Sequence, residues 1–469
     1  MCRRLEEWSG VVSPGRWLDS RLRRLVEGVP APSTGGQRIR MAEIELSEPL
    51  PRFEADGWTQ AHVIVRLHGQ PLGALELRLD QGSVSPTRLG QVLDDQLGDM
   101  VRKHLKADGI DHVRQACDRE RSKHHCLEHL DPPSPPPLVS VVVPTRDRAD
   151  QLEVCLESML RVTYPSLEVI VVDNAPSDGS TQKMVRTRFA SDPRIRYVHE
   201  ARAGASLARN IGAHVARGQF VAFTDDDAEV DRLWVSALVA GFSGGPRVVC
   251  VTGLTLPNAL ETPAQQAFEV YGGMGLGFEP RLYDLDAHKG DTLLYPYTAG
   301  IFGASNNVAF RRDDFLARGG FDVSLGPATP AFGAEDLDLF LAVILDGRQI
   351  AYQPSAVVRH AHRGEFAELY WQVFTYSAGL TALLTKCALS DRHIAGDMAR
   401  RVPKLLPAAF LKSHRSGSEV GVGEYLPQLR WLERAGYLYG PIAYLRSRIA
   451  ARADNRSSRR PLWVTRTSR

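Results

Sequence analysis

Apolar and polar residues change rhythm along this chain near residue 138. Upstream, Val63-Ile-Val-Arg-Leu67 and Ala74-Leu-Glu-Leu-Arg-Leu79 flank the turn residues His68-Gly-Gln-Pro71. Alternation of period two sets one face of a strand against a core, so this stretch predicts a hairpin. From Pro86, a residue suited to a first helical turn, Leu89, Val92, Leu93, Leu97 and Met100 fall on one helical face. Asp131-Pro-Pro-Ser-Pro-Pro-Pro137 then interrupts the pattern, because its prolines favour extended backbone and cannot continue a helix. Beyond it come short, continuously apolar runs: Val139-Ser-Val-Val-Val-Pro144, Leu167-Glu-Val-Ile-Val-Val-Asp173, Arg196-Tyr-Val-His199, Gln219-Phe-Val-Ala-Phe-Thr224 and Arg247-Val-Val-Cys-Val-Thr252. After the first, Asp150 and Glu153 read as a capping box, and Leu152, Leu156, Met159 and Leu160 form the buried stripe of a helix. A further helix is expected from about Ala203 to Ala216. Strands this apolar, separated by helices, predict a mostly parallel sheet covered on both faces.

Composition changes this picture little. At 469 residues the chain has room for two or three domains. A net charge of +2 gives no electrostatic case for nucleic acid as a partner. The exception is the C-terminus, where Arg446, Arg448, Arg452, Arg456, Arg459, Arg460, Arg466 and Arg469 accompany one acid, Asp454. Such a run reads as a solvated, disordered tail, with docking on anionic lipid as the alternative. Cys155 and Cys250 lie in apolar patterns and read as buried small hydrophobes; Cys117 and Cys126, near His124, His125 and His129, match no zinc spacing. The N-terminus lacks an apolar signal core, and Leu369 to Leu389 is too polar for a span, so a cytoplasmic location is expected, with the inner membrane face left open. Beyond His362, Tyr370, Trp371, Phe374, Tyr376, Leu380 and Leu384 build a helical apolar face expected to pack as core. Ser413 to Gly423 reads as a loop, and Tyr425 to Leu445 resumes a helical pattern.

Candidate chemistry collects at strand ends. Asp225-Asp226-Asp227 follows the apolar run ending at Thr224, where crowded carboxylates raise one another's pKa unless a cation such as Mg²⁺ or Mn²⁺ binds them. Asp173 also ends its strand, and can accept hydrogen bonds from a ligand or from its own turn. Arg202 precedes Gly204 at a helix start and Arg209 lies within that helix; helix N-termini and guanidinium groups favour phosphate oxygens. Glu335 and Asp336 open an amphipathic helix after a glycine-rich stretch, where a carboxylate can act on an incoming hydroxyl or merely complement the helix dipole. His360 and His362 alternate at the end of an apolar run, either as an exposed strand end or with His360 as a nitrogen ligand to the cation.

The order of these pieces resembles the family 2 glycosyltransferases of the GT-A fold. The resemblance rests on Pro144-Thr-Arg-Asp-Arg148, Val-Val-Asp173-Asn, Arg202-x-Gly-x-x-x-Ala-Arg209-Asn-x-Gly, Phe-Thr-Asp-Asp-Asp227, Gly-Ala-Ser-Asn306-Asn307-Val-Ala-Phe-Arg-Arg312, Gly-Gly-Phe-Asp322 and Glu-Asp336, and covers about residues 138–362. It implies an α/β, GT-A-like sheet flanked by helices, and an inverting enzyme that uses a nucleotide-sugar donor, a UDP-sugar by expectation, with Mg²⁺ or Mn²⁺. Pro144, Thr145, Arg148, Asp173, Arg202, Arg209, Asp225 and Asp226 would then bind donor. Asp227, Asp225 and His360 would hold the metal, with Asp336 as general base and Glu335 assisting the acceptor. Asn306 and Asn307 fall in a loop expected to build the acceptor site, as does Gly272 to Gly277. The sequence departs from the common pattern at Asn174, where many members carry a second acid. The expected division is a small α+β module over 1–130, a Pro-rich linker over 131–137, the GT-A domain over 138–365, a helical extension over 366–445 and a basic tail over 446–469. The alternatives are a non-catalytic sugar-nucleotide sensor or scaffold and a sugar nucleotidyltransferase, although no glycine-rich, lysine-bearing triphosphate loop follows the first strand. The acceptor is a hydroxyl compound of unspecified class, and peripheral membrane contact reaching a lipid-linked acceptor stays open.

Overall fold

The computed structural model describes residues 14–31, 38–79, 82–109, 130–290, 292, 294–411 and 426–457. Helix α1 (Pro14–Glu27) precedes a three-stranded sheet of β1 (Ile39–Glu45), β2 (Gln60–Leu67) and β3 (Gln70–Arg78). The expected hairpin is the antiparallel β2-β3 pair, and β1 adds in parallel at its other side. Helix α2 (Pro86–Ala107), capped by Ser85, covers this sheet through Leu89, Val101 and Leu105. The Cys117–His129 group lies outside the described residues.

The apolar runs after the proline segment form the centre of a nine-stranded sheet. Strands β4 (Val139–Thr145), β5 (Leu167–Asn174), β6 (Ile195–Glu200) and β7 (Phe220–Phe223) lie parallel in the order β6-β5-β4-β7. Helices α3 (Ala149–Leu160), α4 (Ser180–Arg188) and α5 (Ala205–Val215) connect them. Alternation along β4 explains the two covering layers. Val141 and Val143 pack with Leu152 and Leu156 of α3, whereas Val142 packs with Ala208 of α5 on the other side. The capping box expected at Asp150 and Glu153 is not formed: α3 starts at Ala149 after Arg148, with no side-chain cap, and Glu153 pairs with Arg188 at 2.7 Å.

After β7 the sheet turns mixed. Strand β8 (Ala228–Val230) and helix α6 (Trp234–Gly241) lead to β9 (Val248–Pro257), α7 (Pro263–Tyr271) and β10 (Arg281–Tyr283). Strand β11 (Val308–Arg311) inserts antiparallel between β7 and β9, followed by α8 (Arg312–Ala317), α9 (Glu335–Leu345) and β12 (Gln349–His360), which pairs in parallel with β9. The result is the mostly parallel, helix-flanked sheet that the GT-A resemblance implies.

Three helices close the chain: α10 (Phe366–Ser390), α11 (Arg392–Leu411) and α12 (Leu426–Ser457). Helix α1 packs on α10 through Val26 rather than on its own sheet. Helix α12 runs through Ser457, past residue 446 where the basic tail was expected to begin, because Tyr444 and Ser447 are buried against the loop at 324–331 and hold that segment in the fold. The loop expected at Ser413 to Gly423 lies outside the described residues. No helix among the described residues is long and apolar enough to cross a membrane.

Candidate active site

Strand register brings the first candidates to one edge. Thr145, the last residue of β4, lies opposite Asp173 in β5, and Asp173 lies opposite His199 in β6. Strand β7 ends at Phe223, so the aspartate triplet projects beyond the same carboxyl edge, where open α/β sheets gather ligands. Asp226 turns back to accept hydrogen bonds from Thr145 Oγ1 at 2.8 Å and Arg148 at 3.1 Å, and Arg148 also reaches Asp227 at 3.3 Å. Burial raises the Asp226 carboxyl to about 6 despite the Arg148 charge and the Thr145 bond. Pro144, partly exposed, precedes Thr145 at this edge.

Asp173 is buried, and accepts from Tyr197 Oη at 2.7 Å. Its Oδ1 is buried with no hydrogen-bond partner among the described residues, an acceptor that a bound ligand can satisfy. Asn174 donates to the Arg202 carbonyl and accepts from the Gly204 N–H at 2.8 Å, stapling the turn that starts α5. A carboxylate could not make the first of these bonds, which gives a physical reason for Asn at this departure from the family pattern. The turn needs Gly204, whose φ is 144°. Arg202 itself faces outward, donating two hydrogen bonds to Glu200 at 2.9 Å each, and is not brought together with Arg209.

The cation candidates meet through a strand pairing. Strand β8 follows the triplet directly and runs antiparallel to the end of β12, setting Ala228 opposite His360. His360 Nε2 thereby lies 3.1 Å from Asp227 Oδ1 and 3.9 Å from Asp225 Oδ2, and the three residues offer ligand atoms within 4.8 Å of one another. Burial alone would raise the Asp227 carboxyl, but the His360 bond and the His360 and Arg148 charges hold it below its ordinary value. Burial works downward on His360, and the Asp227 bond and charge outweigh it. The two carboxylates at this spacing supply the oxygen ligands that Mg²⁺ or Mn²⁺ favour, with the His360 imidazole as a third donor beside them. His362 does not join them: it is buried against Glu269 at 2.5 Å, so neither histidine is the exposed strand end weighed from sequence.

Arg209 ties this group to the second acidic pair. From α5 its guanidinium bonds Asp225 Oδ1 at 2.7 Å and Glu335 Oε1 at 2.8 Å, with the ring of Phe321 5.7 Å away. Buried between two carboxylates, it serves as a bridge within the protein rather than as an open phosphate ligand. The turn before α9 is strained, since Ala328, Phe332 and Ala334 all take positive φ. It sets Glu335 and Asp336 at the start of the helix. Asp336 accepts backbone N–H bonds from Ser305 and Leu337 at 2.9 and 2.8 Å. Burial raises both carboxyls, and the Asp336 charge pushes Glu335 further while Arg209 opposes the rise. Sequence reasoning missed this bridging role of Arg209, because nothing local links residues 126 positions apart.

The acceptor candidates are divided. Asn307 accepts from Trp234 Nε1 at 2.9 Å and donates to the Leu254 and Ala356 carbonyls at 3.0 and 2.8 Å, so its amide pins β9, β12 and α6 together. With both N–H bonds committed and 1 % exposure, it is placed in the core rather than toward an acceptor. Asn306, also buried, accepts from Thr255 and reaches Met274 of the Gly272–Gly277 loop. Tyr376, expected as core, is instead 51 % exposed. The cavity of about 360 Å³ at Ile39, Trp58 and Asn258 lies where the first sheet meets the loop after β9, and contains none of the candidate residues.

Known proteins are similar to parts of this sequence. The profile of the family described as Glycosyl transferase family 2 matches residues 140–299. The chain is 39 % identical over 93 residues to the uncharacterized glycosyltransferase YibD of Escherichia coli, covering 20 % of this chain and 26 % of that protein. It is 27 % identical over 271 residues to the glucosyl-dolichyl phosphate glucuronosyltransferase of Haloferax volcanii, covering 54 % of this chain and 80 % of that one. A mannosyltransferase from Pyrobaculum calidifontis, solved in complex with GDP-Man and Mn²⁺, is similar at a TM-score of 0.41 and 20 % identity over 70 % of this chain and 76 % of its own. The profile spans the strands that deliver Thr145, Asp173 and the aspartate triplet, so residues 140–299 of this chain are similar to glycosyl transferase family 2.

Proposed function

We propose that the protein is a metal-dependent, inverting glycosyltransferase that moves a sugar from a nucleotide-sugar donor, a UDP-sugar by preference, to a hydroxyl acceptor. One observation carries this reading: buried Arg209 bonds Asp225 of the triplet and Glu335 beside Asp336 at once, so one guanidinium links the candidate cation ligands to the candidate base. Further support comes from the relatives, named as glycosyltransferases, including one covered over 80 % of its length.

Asp225, Asp227 and His360 would hold Mg²⁺ or Mn²⁺, which when bound supplies Lewis-acid stabilisation of the leaving diphosphate. Arg148 adds positive charge beside Asp226 and Asp227. Thr145, Arg148 and Asp173 position the nucleotide, with the unsatisfied Asp173 Oδ1 as one acceptor for it. Asp336 takes the proton of the acceptor hydroxyl as its oxygen attacks the anomeric carbon opposite the departing diphosphate. Configuration therefore inverts with one base and no covalent sugar intermediate. The Ser305 and Leu337 N–H groups fix the orientation of that carboxylate.

A thermal-shift screen of nucleotide sugars with Mn²⁺ tests the donor and metal assignments, since a ligand bound only by the native state raises Tm. The preferred donor should lose its effect on chelation and in Asp227→Ala; an undiminished shift would overturn the metal bridge. Anomeric analysis of the product by NMR then tests inversion. Donor binding without turnover across an acceptor panel would favour the sensor reading instead.

A further inference from the structure

Helix α12 carries two apolar faces, of which the fold uses one. Leu429, Leu432, Ala443 and Tyr444 are buried. A Cβ on Gly436 or Gly440 would collide with the Phe374 carbonyl or with Thr381 Oγ1 of α10, so the two helices pack backbone to backbone along this face. On the opposite side, Trp431, Leu438, Ile442, Leu445 and Ile449 are 60, 79, 53, 50 and 68 % exposed. Their spacing of three, four or seven residues, at about 3.6 residues per turn, keeps all five on one outward stripe. Exposed Arg434, Arg448 and Arg452 flank the stripe, and Glu433, bonded to Tyr437, is the one acid among the described side chains of α12.

We propose that this stripe docks the protein on an anionic lipid bilayer. A row of Trp, Leu and Ile bordered by arginines is the pattern of a helix lying in the headgroup region, with apolar side chains entering the acyl boundary and guanidinium groups on lipid phosphates. A second protein copy would need a surface complementary to these arginines, and the described side chains of α12 offer one acid. Tyr444, on the buried face of α12, packs with Leu325 and Ala331, so the docked helix is joined directly to the loop that leads to Asp336.

Co-sedimentation of the full chain with phosphatidylcholine vesicles, with and without phosphatidylglycerol, is the test. Binding is expected to the anionic vesicles alone and to weaken with salt. The double variant Leu438→Glu/Ile449→Glu should lower partitioning about tenfold or more. Arg434→Gln/Arg448→Gln/Arg452→Gln should remove the dependence on anionic lipid. These positions are exposed, so Tm and far-UV circular dichroism should match the parent chain and separate lost docking from lost folding. Absent vesicle binding, equal binding by the Glu variant, or a dimer that dissociates in that variant without vesicle binding would each overturn the proposal. No outcome depends on transferase activity.

Discussion

At the scale of single residues, Arg209 decides most about the site. A buried cation between Asp225 and Glu335 costs desolvation that these two partners chiefly offset, so removing it strands two carboxylates. Arg209→Met should therefore lower stability by about 3–5 kcal/mol in denaturant unfolding. Arg209→Lys should recover little, because one ammonium cannot span both carboxylates as the fork does; full recovery would contradict the bridging role. Asp336 makes a kinetic prediction. A base acts only when ionised, and burial lifts this carboxyl above the 3.8 of an ordinary aspartate. The acid limb of the rate profile should accordingly lie above that value. Asp336→Asn should abolish transfer yet keep the donor-induced Tm rise, and an active Asp336→Asn enzyme would end its assignment as base. The triplet was legible because its acids are contiguous. The Arg209 link was not, since Arg209 and its two partners lie in three separate segments of the chain.

At the scale of elements, Glu168 shows how the strands are locked. It lies in β5, yet accepts from Ser140 Oγ of β4 at 2.6 Å, from the Arg217 N–H at 2.7 Å and from Arg196 of β6 at 2.7 Å. Burial alone would raise its carboxyl, but these donors outweigh it and lower the value from 4.5 to about 2. A folded-state value below the unfolded one means that the contribution is complete above about 4.5 and is lost as pH falls toward about 2. Glu168→Gln should flatten the acid side of the stability curve measured by urea unfolding, with little change at neutral pH in that slope; an unchanged acid slope would refute it. The strands themselves were legible from apolar runs. The false capping box shows the limit of local reading, because Glu153 found a better partner in Arg188 on a neighbouring helix.

At the scale of the whole molecule, the first sheet is fastened to the second beside the candidate site. Arg66 of β2, with 8 % side-chain exposure, meets Glu43 at 3.3 Å and Asp231 at 3.0 Å, while Arg359, next to His360, pairs with Glu43. Arg66→Ala should cost about 3 kcal/mol, and a double-mutant cycle with Asp231→Ala should return a coupling energy well above the roughly 1 kcal/mol of exposed pairs; additive effects would show that the contact does not hold the sheets together. Helices α1 and α10 add a second tie between distant parts of the chain. By itself, the amino-acid order determined the parallel strands, the helices between them and the placement of acids at strand ends, because apolar periodicity and turn chemistry act over a few neighbours. Tertiary structure alone decided that His360 faces Asp227, that Arg209 joins two acidic groups and that Asn307 serves the core. Those outcomes depend on which strands pair and which groups are buried together, and both are set by the packing of segments far apart in the chain.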